Sequence, residues 1–317
     1  MKKVKLSIVI HTEEEFDWAG GFNRHNTSVT HGKELTEMCV DMLKLGCCIT
    51  FAMDWSFVTS EQGQNVIRFM QENYTEQVEF AAHLHPWVNP PFDEQYSDTD
   101  NIDEKLSYPG NLPAELEKAK LAMLTDKIAE LTGRSPTTYL AGRYGVGENT
   151  YKILSELGYK VDVSISPFAD FRHQDGPDFS NKNNASFTQN GIKCIPHSSG
   201  YISHIGVLAD WLNRDTANLH NLNNNVVGKV ILKLLGVERV RLSPEGFDEA
   251  QMKKLVASLT RTGVEHLIYS FHSSTSKLGG SPYVETKESV QQMYKNNSDI
   301  LTTITSVTTP SLFADLL

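Results

Sequence analysis

The sequence EFAAHLHPW, residues 79–87, ends an apolar run with two histidines, a proline and a tryptophan. The run predicts a buried strand, and because residues two apart on a strand point the same way, His83 and His85 converge on one point. Pro86 cannot extend the hydrogen-bond ladder, so both imidazoles fall at the carboxyl end of the strand. Two imidazoles joined by a carboxylate can bind a divalent metal. A histidine pair hydrogen-bonded to backbone carbonyls is the alternative, and this stretch alone does not separate the two.

Segments with strand and helix periodicity alternate along the 317 residues. The predicted strands are 4–10, 47–54, 78–85, 137–143, 160–167, 191–197, 237–243 and 266–273. The predicted helices are 33–45, 60–73, 113–133, 148–157, 203–213, 225–235, 248–262 and 285–298, and the predicted long loops are 86–111 and 168–190. Such alternation indicates parallel strands joined by crossover helices.

Polar side chains cluster where the predicted strands end. His11 follows the first strand, Arg143 ends the fourth, and His272 lies near the end of the last. This clustering is typical of a barrel with its active face at the carboxyl ends of the strands. No glycine-rich phosphate loop follows the first strand, which disfavours a dinucleotide-binding open sheet. We therefore predict an α/β fold, an irregular (β/α) barrel of seven or eight strands, forming one domain over residues 1–317.

The charge balance disfavours two classes of partner. There are 39 acidic and 29 basic residues, giving a net charge of −10, and no basic stripe that would indicate a nucleic-acid partner. An acidic protein is also poorly suited to anionic membrane surfaces. No apolar run is long enough to span a bilayer, and the apolar run near residue 4 is too short for a signal peptide. We expect a cytoplasmic protein without a membrane span.

The segment HTEEEFDW, residues 11–18, places several carboxylates directly after the first strand. Carboxylates this close repel one another unless a cation or a basic group lies among them. A solvated acidic loop is the ordinary alternative, but the position on the same rim as the two histidines favours a functional role. If the extended conformation continues, His11 and Glu13 share one side and Glu14 takes the other. Glu13 is therefore the first candidate metal ligand and Glu14 the second.

These segments resemble, in their order along the chain, the five sequence blocks of the polysaccharide deacetylases of the NodB-homology type, carbohydrate esterase family 4. The similarity is to the WalW-like branch in TEEEFDW (12–18), HLHPW (83–87) and AGRYG (141–145). Further similar segments are DGPDFS (175–180), LSPEG (242–246) and the run 270–284. The matched segments extend over nearly the whole chain, which makes the combination more specific than any one motif.

The resemblance implies an irregular barrel and a divalent metal, such as zinc, held by His83, His85 and either Glu13 or Glu14. It implies hydrolysis of an N- or O-acetyl group on a polysaccharide or a glycan intermediate. In that chemistry, a water activated by the metal attacks the acetyl carbonyl while a base takes its proton.

The resemblance also gives roles to other residues. His11 occupies the position of the base, Arg143 matches the arginine that positions the base, and His272 matches the histidine that protonates the leaving group. Three aromatic residues are candidates to stack on a sugar ring: Trp18, Trp87 and Tyr144.

Two positions depart from the family pattern. The family usually has an aspartate as the base where this chain has His11, and it spaces its metal histidines four apart rather than two. A neutral imidazole can also take a proton, so His11 remains the candidate base. The alternatives are a related C–N hydrolase acting on a non-sugar amide, and a weakened or inactive barrel that binds a metal or a sugar.

Overall fold

The computed structural model describes residues 3–92, 100–223 and 226–317, so part of the predicted loop (93–99) and residue 225 of a predicted helix lie outside the described residues. The strands are β1 Val4–Thr12, β2 Ile49–Met53, β3 Val78–Leu84, β4 Thr138–Ala141, β5 Val161–Asp162, β6 Phe187–Gln189, β7 Ile192–Cys194, β8 Ser199–Ile202, β9 Glu238–Arg241, β10 His266–His272 and β11 Thr308–Pro310. The helices are α1 Gly32–Lys44, α2 Trp55–Thr59, α3 Glu61–Tyr74, α4 Ala114–Thr132, α5 Thr150–Glu156, α6 Gly206–Arg214, α7 Thr216–Asn223, α8 Val226–Leu234, α9 Glu249–Arg261 and α10 Lys287–Val307.

The main sheet has the order β10-β1-β2-β3-β4-β5-β7, with neighbouring strands parallel. Strand β6 adds to β7 in antiparallel orientation, and β11 pairs with β1. The predicted α/β fold of the (β/α) barrel type is confirmed: in the described part of the chain, seven consecutive parallel strands form a sheet that curls into a half-barrel. That the chain forms one domain over residues 1–317 stays a prediction.

One predicted barrel strand lies elsewhere. Strand β9, predicted over 237–243, pairs with β8 in a separate antiparallel sheet of two strands. Single hydrogen bonds bridge the gap between β7 and β10. The amide of Ile268 donates to Ser198 Oγ at 2.9 Å, and the amide of Ser270 donates to the carbonyl of Leu242 at 3.1 Å. The segments before β8 and after β9 therefore close this side of the barrel without extending its ladder.

The strands are buried on both faces, and the two faces differ. In β1, Ile8 and Ile10 belong to the large core that includes the helices. Val9 belongs to a smaller buried cluster with Ala52, Ala81, Leu140, Val161, Val163, Ile195, Ile268 and Phe313. Because this cluster draws on six of the parallel strands, it fills the concave side of the sheet. Small residues such as Ala52 and Ala81 let that side curl tightly.

Several elements were missed or misjudged from the sequence. The short helices α2 and α7 and the strands β6, β8 and β11 were not predicted, because segments this short show no clear periodicity. Strand β6 lies within the predicted loop 168–190. Helix α10 continues to Val307 instead of ending near 298, although its last part is rich in β-branched residues. Burial of Ile300, Leu301 and Ile304 at helical spacing overrides the weak helix propensity there. Among the helices described, none has the length and apolar character needed to cross a membrane.

Candidate metal centre

Five histidines reach the carboxyl-end rim because the strands place them on the concave side. His11, His83 and His197 each lie two residues beyond a member of the interior cluster, and His85 and His272 each lie four residues beyond one. The parallel register of β1 with β10 sets His11 directly beside His272. Because residues of the same parity lie on the same side of a strand, the interior apolar residues are followed at the strand ends by histidines, whose imidazoles form a ring at the rim.

Three acceptor atoms meet at the centre of this rim. Oε2 of Glu13 lies 3.1 Å from Nε2 of His83 and 3.4 Å from Nε2 of His85, and the two Nε2 atoms are 3.0 Å apart. Tetrahedral zinc with bonds of about 2.0–2.1 Å would hold such donors roughly 3.3 Å apart. The ring nitrogens of His11 also come within reach, since His11, Glu13 and His83 each offer a donor atom within 4.8 Å of the others.

The hydrogen bonds that His83 and His85 make through Nδ1 leave their Nε2 atoms without a proton. Nδ1 of His83 donates to the carbonyl of Leu140 at 2.9 Å, and Nδ1 of His85 donates to the carboxylate of Glu14 at 3.0 Å. Both Nε2 atoms therefore present lone pairs, and burial lowers the pKa of each imidazole, which keeps it neutral. Three lone pairs facing one another repel unless a cation lies between them, so this donor set fits a divalent metal.

Glu14 contacts the opposite side of His85 from Glu13. Its carboxylate accepts hydrogen bonds from Nδ1 of His85 and from Nε1 of Trp87, the latter at 2.8 Å. It also shares a hydrogen bond with Asp54, and burial raises the pKa of both acids, so the pair retains a proton. Glu14, Asp54 and His85 form a second cluster of potential ligands. Their atoms are already engaged, and they form a carboxylate–histidine arrangement that orients a metal ligand.

His272 has the opposite charge state from the metal-side histidines. Its Nδ1 contacts Oε2 of Glu245 at 2.8 Å, and its amide donates to Oε1 of the same carboxylate at 2.9 Å. Its Nε2 lies 4.0 Å from Oε1 of Glu13. Burial alone would lower the pKa of His272, but Glu245 and Glu13 raise it to about 9. His272 is therefore protonated at neutral pH and can donate a proton into the site.

His11 lies between the neutral His83 and the protonated His272. Its ring centroid is 4.7 Å from that of His272 and 5.2 Å from that of His83. Burial and the neighbouring His272 lower its pKa well below the usual value, so the ring is neutral and can accept a proton. No hydrogen bond to its ring nitrogens occurs within residues 3–92, 100–223 and 226–317, which leaves them available to a ligand.

His197 is a member of the site that the sequence did not single out. Its ring lies 5.7 Å from that of His11 and 5.2 Å from that of Tyr144. Its buried ring nitrogens make no well-formed hydrogen bond in the described chain. Burial lowers its pKa to about 3, although the nearby backbone of Val163 opposes this. The signal was present, because 191–197 was a predicted strand and His197 has the same parity as the interior residue Ile195.

Arg143 lies away from the candidate base. It has a left-handed backbone conformation, φ 54°, which turns its side chain toward the loop near residue 105. Its guanidinium donates to Ser107, Gln174 and Glu104 at 2.5, 2.7 and 3.1 Å. The expected contact that would position His11 is absent from the described interactions of Arg143. A second arginine, Arg241 of β9, lies beside Tyr144 and Glu245.

The three predicted sugar-stacking residues have different environments. Trp87 is 2% exposed and stacks on His85 with ring centroids 4.2 Å apart, so it has no free face for a ligand. Trp18 is 58% exposed and contacts Phe16. Tyr144 borders His11 and His197 at the rim. Sugar stacking by Trp18 and Tyr144 stays a prediction, whereas the buried Trp87 has no exposed ring face for it.

Comparisons with known proteins support the fold. No protein-family model and no curated protein matches the chain. A solved structure of 4-alpha-glucanotransferase from Thermococcus litoralis has a TM-score of 0.51 and 11% identity, over 95% of this chain and 38% of that one. This chain therefore spans well under half the length of that enzyme.

Two further similar structures have TM-scores below 0.5. A probable polysaccharide deacetylase from Pseudomonas aeruginosa PAO1 has a TM-score of 0.49 and 12% identity, over 98% of this chain and 89% of that one. A family 4 carbohydrate esterase from Streptomyces lividans has a TM-score of 0.43 and 8% identity, over 98% of this chain and 94% of that one. At such identities the likeness to the glucanotransferase establishes the fold and nothing finer.

Proposed function

We propose that this protein is a metal-dependent hydrolase that removes an N- or O-acetyl group from a carbohydrate. The observation that carries the proposal is the convergence of the Glu13 carboxylate with the unprotonated Nε2 atoms of His83 and His85. The proposed substrate is an acetylated polysaccharide or sugar intermediate, and the proposed location is the cytoplasm. The resemblance of the sequence blocks to the NodB-type deacetylases supports the same reaction.

Glu13, His83 and His85 would hold the divalent ion, for which zinc is our candidate because it accepts mixed nitrogen and oxygen ligands in tetrahedral geometry. Such an ion polarises a carbonyl and lowers the pKa of water toward neutrality. Glu14 fixes the orientation of His85 through Nδ1. Of the two predicted candidates, Glu13 and Glu14, we therefore propose Glu13 as the ligand.

The proton transfers can be assigned to two neighbouring imidazoles. His11 is neutral, so a ring nitrogen can take the proton from the attacking water. His272 is held in its protonated form by Glu245, and its Nε2 is the atom directed toward Glu13. That nitrogen can deliver a proton to the departing amine or alkoxide. The two roles require opposite charge states, and the burial and carboxylate contacts of each ring supply them.

The state of the carboxylates favours acyl hydrolysis over chemistry at a glycosidic bond. Glycosidases use two carboxyl groups that flank the scissile bond. Here Glu14 is hydrogen-bonded to His85 and Trp87, and Glu245 accepts hydrogen bonds from His272 and Thr275. Only Glu13 among these acids turns toward the open rim. A reaction at a glycosidic bond that needs two carboxyl groups would therefore lack its second one.

The test is metal analysis followed by an acetate assay. The protein is stripped with a chelator, reloaded with zinc, and assayed for acetate release from N-acetylated glucosamine oligomers, O-acetylated xylan and a simple acetylated amine. We expect retained zinc and acetate release from a sugar substrate, with both lost in His83→Ala. His25→Ala, at an exposed histidine away from the rim, is the matched control.

Other results would distinguish the proposed deacetylase from its alternatives. Release from the amine but from neither sugar would identify the alternative C–N hydrolase. Zinc retention without any release, together with a strong gain of activity in His11→Asp, would identify a weakened enzyme. Loss of activity in His11→Asp would support the imidazole as base. A protein that binds no divalent metal would exclude the metal-dependent mechanism.

A further inference from the structure

Helix α8 carries an apolar stripe that the rest of the described chain leaves uncovered. Its members are between 43 and 77% exposed, and they are Val226, Val227, Val230, Ile231 and Leu234. Their spacing places them on one side of the helix. Gly228 and Leu232 form the buried side. The helix therefore has an apolar inner face, as expected, and a second apolar face in solvent.

The same helix contributes two lysines to a basic cavity of about 720 Å³. Lys229 and Lys233 line this cavity together with Arg239 of β9 and Lys254 of α9. The three lysines form no ion pair within the residues that the structure describes. The Nε atom of Arg239 is buried without a hydrogen-bond partner there. The lysines are therefore free to meet an anionic group, whereas Arg239 donates from Nη2 to the carbonyl of Pro167 at 2.7 Å.

The acids that line the cavity are already engaged. Glu238 accepts a hydrogen bond from Nε2 of Gln251 at 2.5 Å, and Asp248 accepts one from the amide of Gln251 at 2.8 Å. Asp248 thereby serves as the N-cap of α9. Neither carboxylate forms an ion pair with the lysines in the described chain, and with four cations against two acids the charge of the cavity lining is positive.

Neighbouring helix α6 adds to the exposed apolar surface. Val207 and Trp211 lie one turn apart on α6, and Ile205 directly precedes it. All three are at least 42% exposed. Of the 17 large exposed hydrophobic residues in the described chain, eight lie between 205 and 234, so the exposed apolar surface is concentrated in this part of the fold.

We propose that α8 docks the protein onto the surface of an anionic lipid bilayer. The apolar stripe would enter the acyl boundary, and lipid phosphates would meet the lysines of the basic cavity, as in interfacial amphipathic helices. An anionic lipid has both an apolar and an anionic part, whereas a soluble phosphate compound would leave the stripe in water. A second copy of this chain, with its net charge of −10, would cover the stripe but would bring no phosphate to the cavity.

The net charge of the whole chain does not oppose this docking at close range. Charges further away than a Debye length of about 8 Å are largely screened at physiological salt. The local charges therefore govern contact with a surface. The expectation from composition, that an acidic protein avoids anionic membranes, does not hold for a face on which lysines flank exposed valines. This inference is independent of the proposed deacetylase activity.

The test is flotation of the full-length protein with lipid vesicles. We expect it to float with vesicles of phosphatidylglycerol and phosphatidylcholine in equal amounts, and to float far less with phosphatidylcholine alone. Each lysine near an anionic surface contributes about 1 kcal/mol, or about fivefold in partitioning, so Lys229→Glu and Lys233→Glu together should lower binding by at least about 25-fold. Val226→Ser, Val230→Ser and Leu234→Ser combined should abolish binding at unchanged charge.

Matched controls lie on other helices. Met123→Ser replaces an exposed apolar residue of α4, and Lys295→Glu reverses an exposed charge on α10. Both should float like the unchanged protein, and circular dichroism checks that every variant is folded. The proposal is overturned if the unchanged protein does not float, or if α8 and control variants float equally. It is also overturned by a dimer that the serine variant dissociates, or by binding of inorganic phosphate without binding to vesicles.

Discussion

The β3 side and the β10 side of the rim each set a histidine against a buried carboxylate, with opposite outcomes. His83 lies 3.1 Å from Glu13, and His272 lies 2.8 Å from Glu245. The pKa of His83 is lowered, whereas that of His272 is raised to about 9. Distance to the nearest acid therefore does not decide the charge of a buried histidine.

The difference lies in what else each ring faces. Burial is the largest influence on both rings and lowers the pKa of each, and the neighbouring His85 lowers that of His83 further. His272 is attracted by two carboxylates, those of Glu245 and Glu13. The β3 side is therefore suited to bind a metal cation, and the β10 side is suited to carry a proton on His272. The predictions below test this division, starting with the largest expected effect.

Among the carboxylate variants of the rim, Glu13→Gln should weaken zinc binding most. Zinc binding in structural sites has a free energy of about 10–16 kcal/mol. Divided over four ligands this is roughly 3–4 kcal/mol each, so the loss of one ligand should lower the zinc affinity by about 300-fold. Isothermal titration calorimetry against a competing chelator measures the loss. Glu37→Gln, at an exposed glutamate of α1, is the control. Equal affinities for both variants would contradict the assignment of Glu13.

Glu245→Gln should lower the pKa of His272 from about 9 toward the usual value of about 6.5, because the largest attraction that raises it is removed. At pH 8 the protonated fraction would fall by about 30-fold. NMR titration of the His272 ring in the metal-free protein measures this directly. Glu249→Gln, which leaves the rim unchanged, should give the original midpoint. An unchanged midpoint in Glu245→Gln would remove the basis for His272 as the proton donor.

Glu14→Gln should weaken zinc binding by about 10-fold, at the lower end of the effect of losing a residue that orients a ligand. The effect is smaller than in Glu13→Gln because the amide oxygen can still accept from Nδ1 of His85. The same calorimetric titration checks it. A loss in Glu14→Gln as large as in Glu13→Gln would mean that Glu14 is itself a ligand.

Glu117 shows what burial does to a carboxylate without a basic partner. Burial raises its pKa to about 7, and its Oε2 atom has no partner within the described chain, while Thr150 donates to Oε1. The stability that its neutral form provides is complete below about pH 4.5 and is lost as the pH rises through 7. Glu117→Gln should therefore be more stable than the unchanged protein at pH 8, by about 1–3 kcal/mol, and similar at pH 4.5. Urea unfolding at the two pH values measures this, and a larger gain at the lower pH would contradict it.

Local sequence patterns predicted the side of the sheet from which the site is built. The parity that links Val9 to His11, and the same rule applied to His83, follows from strand geometry and needs no tertiary information. The contacts of Arg143 could not be predicted, because its residue has a left-handed backbone conformation that no periodicity reports, and its role toward His11 stays a prediction. His197 was overlooked because its partners come from other strands.

Long-range pairing limited the prediction of the fold in the same way. The segment 237–243 has the composition of a barrel strand, but it pairs with β8, which was not predicted. Whether a short apolar segment joins a sheet or forms a hairpin depends on which distant edge is free, and one sequence does not contain that information. The role of Glu14 was similarly open until its contact with His85 Nδ1 was located.

The position of β1 between β2 and β10 has a consequence for the newly made chain. During synthesis on the ribosome, Glu13, His83 and His85 emerge long before His272, so the groups proposed to hold the ion can assemble first. One edge of β1 then stays unpaired until β10 is made, and exposed strand edges are prone to pair with other chains. Early capture of the ion would keep this half of the rim ordered during that interval.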